Sequence, residues 1–307
     1  MATVSVIIPA YNAAGTLLRA VESVLNQTFQ DLDLFIVDDA STDDTAASLA
    51  YLNEPRIRLL SHAERKGPAA ARNTGLAAAD GDFVAFLDSD DEWLPQKLER
   101  QLHFMRSQEK TYRVCCTGFL IFTIYQPEGE ERIGKTVLHY GDLLAGCRAS
   151  PGSTLVAERT VFEEVGLFNE SLRRLEDWEW LLRYTQCEDV GVVPEALARV
   201  HSAHSSLNYA DVVEAQALMV KERMPGAEFS RSVRAQFHSA LENEVAAAAY
   251  KNGCYARAVV HMARSFWYYP FRSQDTLKRI ARAIWIDLLN GNGRRTFLAA
   301  ITRLPKC

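Results

Sequence analysis

The stretch FVAFLDSDDEW, residues 83–93, joins a continuous apolar run to a cluster of acids. The run is typical of a β-strand that is buried on both faces. The acids after it repel one another, and no lysine or arginine follows before Lys97. Asp88 and Asp90 can share one Mg²⁺ or Mn²⁺ ion with a diphosphate, because these cations prefer oxygen ligands. The alternative is that Asp90 or Asp91 caps a helix that begins near residues 93–95, and we expect Asp91 and Glu92 to start that helix.

The chain before this stretch alternates between strand and helix patterns. Apolar runs predict strands at 4–10, 32–39, 57–60 and 83–88, and helical spacing predicts helices at 16–26, 43–52 and 67–79. This alternation favours an α/β fold with a mostly parallel sheet covered by helices on both faces. Ligands of such sheets bind at the carboxyl ends of the strands. We therefore expect three segments to meet in one crevice: Pro9–Asn12, Asp38–Asp39 and Asp88–Asp90.

The later chain is organised differently. A hairpin is predicted over 113–137, with its turn at QPEGEER, and a helix at 175–184. From Asp211 onward the pattern is helical throughout, with a helix, a tight turn and a second helix around 250–269. We therefore divide the chain into an α/β domain, 1–207, with halves 1–112 and 113–207, and a helical C-terminal region, 208–307.

Three side chains near the predicted crevice suit a nucleotide. Tyr11 offers a ring on which a base can stack. Asp39 can accept a hydrogen bond from a base N–H or a ribose hydroxyl. Arg72 stands among alanines, either as a contact to the nucleotide or as a surface arginine whose stem packs on apolar neighbours.

Two later residues are candidates for the chemistry. Asp177 lies at the start of the predicted helix 175–184, where the helix dipole favours an ionised carboxylate that can accept a proton. It could instead pair with Arg173 or Arg174. His201 is either a functional imidazole or a structural one.

Composition bounds the class of protein. Of 307 residues, 48% are hydrophobic and 24% charged, no apolar run reaches the ~20 residues of a membrane span, and the N-terminus lacks a basic leader. We therefore expect a cytoplasmic protein.

The formal net charge of −5 is unevenly distributed, since residues 255–307 hold ten Lys/Arg and two Asp/Glu. This basic, aromatic tail predicts a peripheral contact with an anionic membrane surface, with packing on the catalytic domain or on a second subunit as the alternative.

Residues 3–100 closely resemble the family 2 glycosyltransferases, which have the GT-A fold. The resemblance is carried by VSVIIPAYN, LDLFIVDDAS, GPAAARNTGL and FVAFLDSDDEW, and more sparsely by LEDWEW (175–180) and ARVHSAHSSL (198–207). It does not extend to 208–307. Ala40 stands where the family usually has glycine. By this resemblance 1–112 is the nucleotide-sugar-binding half of the domain and 113–207 the acceptor half.

The resemblance also implies roles for individual residues. Positions that hold the nucleoside are matched by Pro9, Tyr11, Asp39 and Arg72. Asp88 matches the first acid of a DxD motif, near the ribose, and Asp90 matches the second, which binds the metal. Asp177 matches the catalytic base of inverting members, and His201 a histidine at the metal and diphosphate.

These implications predict a metal-dependent, inverting glycosyltransferase of cell-surface polysaccharide assembly. It would use Mn²⁺ or Mg²⁺, a UDP-, dTDP- or GDP-linked donor and a glycan or lipid-linked acceptor, and would bind no nucleic acid. We expect it in the cytoplasm, at the inner face of the membrane. The alternatives are a nucleotidyltransferase, which would need a glycine-rich basic loop after the first strand, and a nucleotide-sugar-binding protein without catalysis.

Overall fold

A computed structural model describes residues 3–49, 52–107, 111–123, 126–202, 208–224, 226 and 229–270. The chain divides into two compact units, with a boundary between residues 205 and 206 and with residues 144–146 assigned to the second unit. The described strands are β1 (Val4–Ala10), β2 (Leu32–Asp38), β3 (Ile57–Ser61), β4 (Phe83–Phe86), β5 (Glu92–Trp93), β6 (Val114–Thr123), β7 (Gln126–Arg132), β8 (Val137–Leu138), β9 (Val156–Glu158) and β10 (Val190–His201). The described α-helices are α1 (Leu17–Leu25), α2 (Pro68–Ala78), α3 (Lys97–Met105), α4 (Tyr140–Leu144), α5 (Pro151–Thr154), α6 (Thr160–Val165), α7 (Glu176–Tyr184), α8 (Tyr209–Arg223), α9 (Arg231–Lys251) and α10 (Tyr255–Tyr268).

The first unit is built on a sheet in which the described strands follow the order β3-β2-β1-β4-β9-β6-β10-β5. Strand β1 pairs in parallel with β2 and β4, and β2 pairs in parallel with β3. Val6, Ile8 and Ile36 are fully buried, as expected for central strands covered on both faces. The register places Ala10 beside Asp38, so that the residues after β1 and β2 leave the sheet together. The α/β expectation is confirmed.

Helices α1 and α2 form where the sequence predicts them. The buried residues of α1 are Leu17, Ala20, Val21 and Val24, a spacing of three and four that lays one stripe on the sheet. Pro68 starts α2 at a position where its missing N–H removes no helical hydrogen bond. In α2, Gly75 packs so closely on Ile7 that an added Cβ would lie 2.5 Å from Ile7 Cγ2.

The helix predicted at 43–52 is wrong over its described part, which contains a single 3₁₀ turn, Ala47–Leu49. Polar side chains at its start bond to the loop after β1 instead. The Thr45 hydroxyl accepts the Ala13 N–H at 2.7 Å, and Asp43 accepts the Ala14 N–H at 3.2 Å. Such side-chain bonds to backbone compete with helix formation.

Two other local expectations also differ from the structure. QPEGEER is not a turn but strand β7, which pairs antiparallel with β6. No helix begins at residues 93–95; Glu92 and Trp93 form strand β5 against β10, and α3 begins at Lys97. The reason is tertiary: Trp93 is buried, and its indole N–H donates to the Ser153 carbonyl at 2.7 Å.

Three helices make up most of the described second unit. The predicted helix, turn and helix around 250–269 is confirmed, since α9 ends at Lys251, Gly253 has a φ of +71° and α10 begins at Tyr255. Among the residues that the structure describes, no helix combines the length and apolar character needed to span a bilayer. Residues 271–307, most of the predicted membrane-contacting tail, lie outside the described residues.

Candidate functional site

The acidic residues 88–92 follow the carboxyl end of β4. The Leu87 N–H donates to Ile7 O at 3.1 Å and prolongs the pairing of β4 with β1. The chain then turns, with the Asp91 N–H donating to Asp88 O at 3.0 Å. The Asp88 N–H bonds to the Ser153 hydroxyl at 3.2 Å. The backbone of Asp88 is therefore fixed just beyond the carboxyl end of β4, while its carboxylate remains half-exposed.

Arg72 is a buried cation between two acids. From α2, its Nη2 donates to Asp88 at 2.6 Å, and its Nη1 donates to Glu176. Burial tends to lower the pKa of this guanidinium, but the charges of Asp88, Glu176 and Asp177 outweigh it and raise the pKa above its ordinary value. Arg72 thus joins the end of β4 to the start of α7. The alternative of a surface arginine is wrong, because the residue is 3% exposed.

Asp177 sits in the first turn of α7, beside this ion-pair network. Leu175, which precedes the helix, has a φ of +65°, a strained value for a leucine. The Asp177 carboxylate accepts the Trp178 N–H at 2.7 Å and the Gly152 N–H at 3.3 Å. Burial, together with the charge of Glu176, raises its pKa to about 6. A carboxyl group that titrates near neutral pH can act as a proton acceptor and later release the proton.

Asp90 is the acid whose surroundings suit a cation. Burial and the charge of Asp88 raise its pKa to about 6. A divalent ion bound to Asp88 and Asp90 would relieve this repulsion, and their hard oxygens fit Mg²⁺ or Mn²⁺. In the described part of the chain no group of three His, Cys, Asp or Glu could by itself hold a metal ion. The carboxylates of Asp88 and Asp90 are hard oxygen ligands, of the kind that bind Mg²⁺ or Mn²⁺ together with substrate phosphates and water.

Asp91 is an anchor, and the expectation that it caps a helix is wrong. Its carboxylate accepts the Ser153 hydroxyl and, at 2.7 Å, the N–H of His201. Burial and the charges of Asp90 and Asp88 raise its pKa well above the ordinary value. Asp91 therefore ties the acidic loop to α5 and to the end of β10.

His201 lies near the acids, but its ring is directed to Glu92. Its Nε2 lies 2.9 Å from Glu92 Oε1, and its ring stacks on Phe122 with centroids 5.0 Å apart. Glu92 also pairs with Arg19 at 3.3 Å and with Arg199 at 3.6 Å. The expected place of Glu92 in a helix start is wrong, because it lies in β5. The metal role of His201 stays a prediction.

Asp39 holds the loop that leads into α2. Its carboxylate is 3% exposed and accepts the N–H groups of Lys66 at 2.8 Å and Gly67 at 2.7 Å. His62 Nδ1 lies 2.7 Å from the same carboxylate, and His62 Nε2 lies 2.8 Å from the Thr74 hydroxyl. His62 was not expected to be a site residue, because its neighbours in the sequence form no recognisable motif.

The other residues expected around the nucleoside lie close to this loop. Pro9 belongs to β1 beside Val37. The Tyr11 ring carries the guanidinium of Arg65, 4.0 Å from the ring centroid. Asn12 and Ala40 both have positive φ, 51° and 58°, and the Asn12 side chain accepts the Thr42 N–H at 2.8 Å. The loops after β1 and β2 are thus bonded to each other.

A short helix, α5, links the two halves of the site and was missed as a functional element. Gly152 donates its N–H to Asp177, and an added Cβ at Gly152 would lie 2.6 Å from Asp88 Oδ2. Ser153 bonds to both Asp88 and Asp91. Glycine therefore lets this backbone lie against the Asp88 carboxylate, and the glycine of PGST at 151–154 is the signal that could have shown it.

Comparison with known proteins shows which family the chain resembles. The model described as glycosyl transferase family 2 matches residues 5–129, which contain β1 to β4, the acidic loop and Arg72. Over these residues the chain is similar to glycosyl transferase family 2. The UDP-Glc:alpha-D-GlcNAc-diphosphoundecaprenol beta-1,3-glucosyltransferase WfaP of Escherichia coli is 35% identical over 52% of this chain. The alignment spans 62% of the length of that protein.

Solved structures of this class share the fold. S. aureus TarS 1-349, in complex with UDP-GlcNAc, superposes with a TM-score of 0.58 at 17% identity, covering 87% of this chain and 91% of that one. The mannosyltransferase PcManGT from Pyrobaculum calidifontis, in complex with GDP-Man and Mn²⁺, has a TM-score of 0.57 at 19% identity, with coverages of 94% and 87%. At these identities the likeness concerns the fold, and the predicted GT-A fold is confirmed.

Proposed function

We propose that this protein is a metal-dependent, inverting glycosyltransferase that moves a sugar from a nucleotide-sugar to a glycan or lipid-linked acceptor in cell-surface polysaccharide assembly. The observation that carries the proposal is that α5 and Arg72 connect two sets of acids. Asp177, a buried carboxyl group with a pKa of about 6, accepts a hydrogen bond from α5. Asp88, which is followed by Asp90 after β4, accepts one from Arg72. One group suits a proton acceptor, and the other suits a diphosphate with its cation.

The position of each residue suggests its role in the proposed reaction. The Asp177 carboxylate takes the proton of the acceptor hydroxyl as its oxygen attacks the anomeric carbon, and inversion follows from this single displacement. Arg72 holds Asp88 and Glu176 and keeps the two sides of the site at a fixed spacing. Asp90, with Asp88 beside it, would hold the divalent ion, which when bound would supply charge stabilisation for the leaving diphosphate.

The proposed donor and acceptor classes rest on the side chains near the site and on the names of similar proteins. We propose that Pro9, Tyr11, Asp39 and Arg72 surround the nucleoside of a UDP-, dTDP- or GDP-linked sugar. WfaP is named for UDP-Glc and a GlcNAc-diphosphoundecaprenol, and TarS is recorded with UDP-GlcNAc. These names support UDP as the first donor class to test and a lipid diphosphate as the acceptor class. Such an acceptor would place the reaction in the cytoplasm, at the inner face of the membrane.

A thermal-shift screen of UDP-, dTDP- and GDP-sugars, with and without Mn²⁺, tests the donor site. We expect one donor class to raise the melting temperature, and to do so only with metal. The Asp90→Ala variant should lose this metal-dependent shift, whereas Asp82→Asn, which changes an exposed acid of the same unit, should retain it. Stabilisation that is equal with and without metal, or that persists in Asp90→Ala, would contradict the metal assignment.

Product analysis separates the alternative functions. With a GlcNAc-diphospho-lipid acceptor, a glycosyltransferase releases a nucleoside diphosphate, and NMR of the product should show an inverted anomeric configuration. Release of pyrophosphate from a nucleoside triphosphate would identify a nucleotidyltransferase. Tight donor binding with no transfer to any acceptor in a panel of lipid-linked and free glycans would favour the binding protein without catalysis.

A further inference from the structure

Helix α10 has one face that is fixed inside the second unit. Its buried residues are Ala258, His261, Met262 and Ser265. The Ser265 hydroxyl donates to Ser239 O of α9 at 3.0 Å, and His261 Nδ1 lies 2.6 Å from Glu242 of α9. The rotation of α10 about its axis is therefore set by polar contacts as well as by packing, and its opposite face has a defined composition.

That opposite face is apolar and exposed. Val259 is 43% exposed, Val260 46%, Phe266 49% and Trp267 86%. At about 100° per residue these side chains occupy roughly one third of the helix circumference, with the exposed Ala263 between them. The other tryptophans that the structure describes, Trp93, Trp178 and Trp180, are at most 3% exposed. A contiguous exposed patch of this kind marks a surface that contacts something apolar.

The charges around this patch indicate what it contacts. Arg257 and Arg264 are exposed and lie next to the apolar stripe. They are the two described basic residues of the segment 255–307. By sequence that segment holds ten Lys/Arg and two Asp/Glu, a formal charge of +8, whereas the rest of the chain, with 24 Lys/Arg and 37 Asp/Glu, carries −13. Local positive charge beside exposed tryptophan and phenylalanine is complementary to the interface of an anionic bilayer.

We propose that the α10 face formed by Val259, Val260, Phe266 and Trp267 docks on an anionic phospholipid bilayer. The helix lies in the plane of the interface, with its apolar side chains at the boundary between headgroups and acyl chains, and Arg257 and Arg264 beside lipid phosphates. With 14 residues the helix is about 21 Å long, which suits this orientation and is too short to cross the ~30 Å hydrocarbon core. The inference rests on α10 itself and not on the proposed catalytic function.

Flotation of the full-length chain with vesicles tests the inference. We expect the wild-type protein to float with vesicles of phosphatidylcholine and phosphatidylglycerol at three to one, and much less with phosphatidylcholine alone. The double variant Phe266→Ser/Trp267→Ser should bind the anionic vesicles at least about tenfold more weakly. Ile133→Ser, which removes a comparably exposed apolar residue (47%) from the first unit, should float like the wild type.

Two further variants test the orientation. Arg257→Ala/Arg264→Ala should weaken binding to anionic vesicles by roughly fivefold for each arginine removed, and less so at high salt. Trp267→Phe should still float, but the quenching of tryptophan fluorescence by brominated lipid should fall. Circular dichroism checks that each variant is folded. Transfer to a water-soluble acceptor should be unchanged in all of them, so that a failure of docking is distinguishable from a failure of the proposed function.

Three results would overturn the inference. The first is a wild-type chain that stays in the soluble fraction with anionic vesicles. The second is a Phe266→Ser/Trp267→Ser variant that floats as well as the wild type, which would place membrane contact outside this face. The third is a wild-type dimer in lipid-free solution that becomes monomeric in the same variant, because the face would then be covered by a second copy of the chain.

Discussion

Replacing Lys97 by methionine should make the protein more stable at neutral pH. Lys97 is fully buried in α3, its ammonium bonds to Gln101 at 2.7 Å, and it lies 3.9 Å from the centroid of the Trp93 ring. Within the described residues no carboxylate forms an ion pair with it. Burial lowers its pKa from 10.5 to about 7. Methionine has a similar length and no charge, so the variant isolates the effect of the buried ammonium.

The magnitude follows from the linkage between protonation and folding. The unfolded lysine keeps its proton up to about pH 10.5, whereas the folded one releases it near pH 7. The destabilisation is therefore fully present below pH 7 and is relieved as pH rises from 7 to 10.5. A shift of about 3.5 pKa units corresponds to about 5 kcal/mol at most. Loss of the contact with Trp93 and of the bond to Gln101 offsets about 3 kcal/mol, which leaves a gain of about 2 kcal/mol at neutral pH.

Urea unfolding followed by tryptophan fluorescence at pH 7.0 and 9.5 is the assay. The wild-type free energy of unfolding should be about 3 kcal/mol higher at pH 9.5 because of Lys97 alone. Lys97→Met should lose this difference, while Lys66→Met, which removes an exposed lysine, should retain it. If Lys97→Met is destabilised by more than about 2 kcal/mol and keeps the wild-type pH dependence, the ammonium is stabilised where it lies and the reasoning is wrong.

Three further predictions concern the loops and the acids of the site. Ala40→Gly should raise the free energy of unfolding by about 1 kcal/mol in denaturant titrations, because Ala40 has a φ of +58°, whereas Ala77→Gly, at an exposed helical position of α2, should lower it by a similar amount. Gly152→Ala should weaken Mn²⁺-dependent nucleotide binding about tenfold by calorimetry, since its Cβ would displace the Asp88 carboxylate, while Gly141→Ala, with no atom within 4 Å, should bind normally; equal affinities would contradict this use of Gly152. The transfer rate should fall about tenfold per pH unit below pH 6, because Asp177 must be ionised to accept a proton and its pKa is raised to about 6; a rate that is flat down to pH 5 would contradict it.

The elements that the sequence predicted well are those with strong local patterns. Strands β1, β2 and β4 are continuous apolar runs, α1 has one apolar stripe, and α7 begins within one residue of its predicted start. Strand β7 was missed because its residues, QPEGEER, are charged and only partly buried, which removes the alternation that marks a strand. Strand β5 was missed because its pairing partner lies about 100 residues further along the chain.

In the site, too, some roles could be predicted from the local sequence and others depend on contacts between residues that are far apart in the chain. The placement of Asp39 and Asp88 at the carboxyl ends of the two strands that flank β1 could be expected from the sequence pattern and from family resemblance. The anchoring role of Asp91 could not, since its partners, Ser153 and His201, are 62 and 110 residues away. Contacts between residues so far apart in the sequence form when α5 and β10 pack against the acidic loop, and no local sequence pattern predicts them.

The central claim is that Asp177 is the base of a sugar transfer, and Asp177→Asn tests it most directly. The measurement is the single-turnover transfer rate to a GlcNAc-diphospho-lipid acceptor, together with the Kd for the nucleotide in the presence of Mn²⁺. We predict a loss of at least about 10³-fold in rate with a Kd within about threefold of the wild type, while Asp82→Asn behaves as the wild type. A transfer rate within tenfold of the wild type would contradict the account.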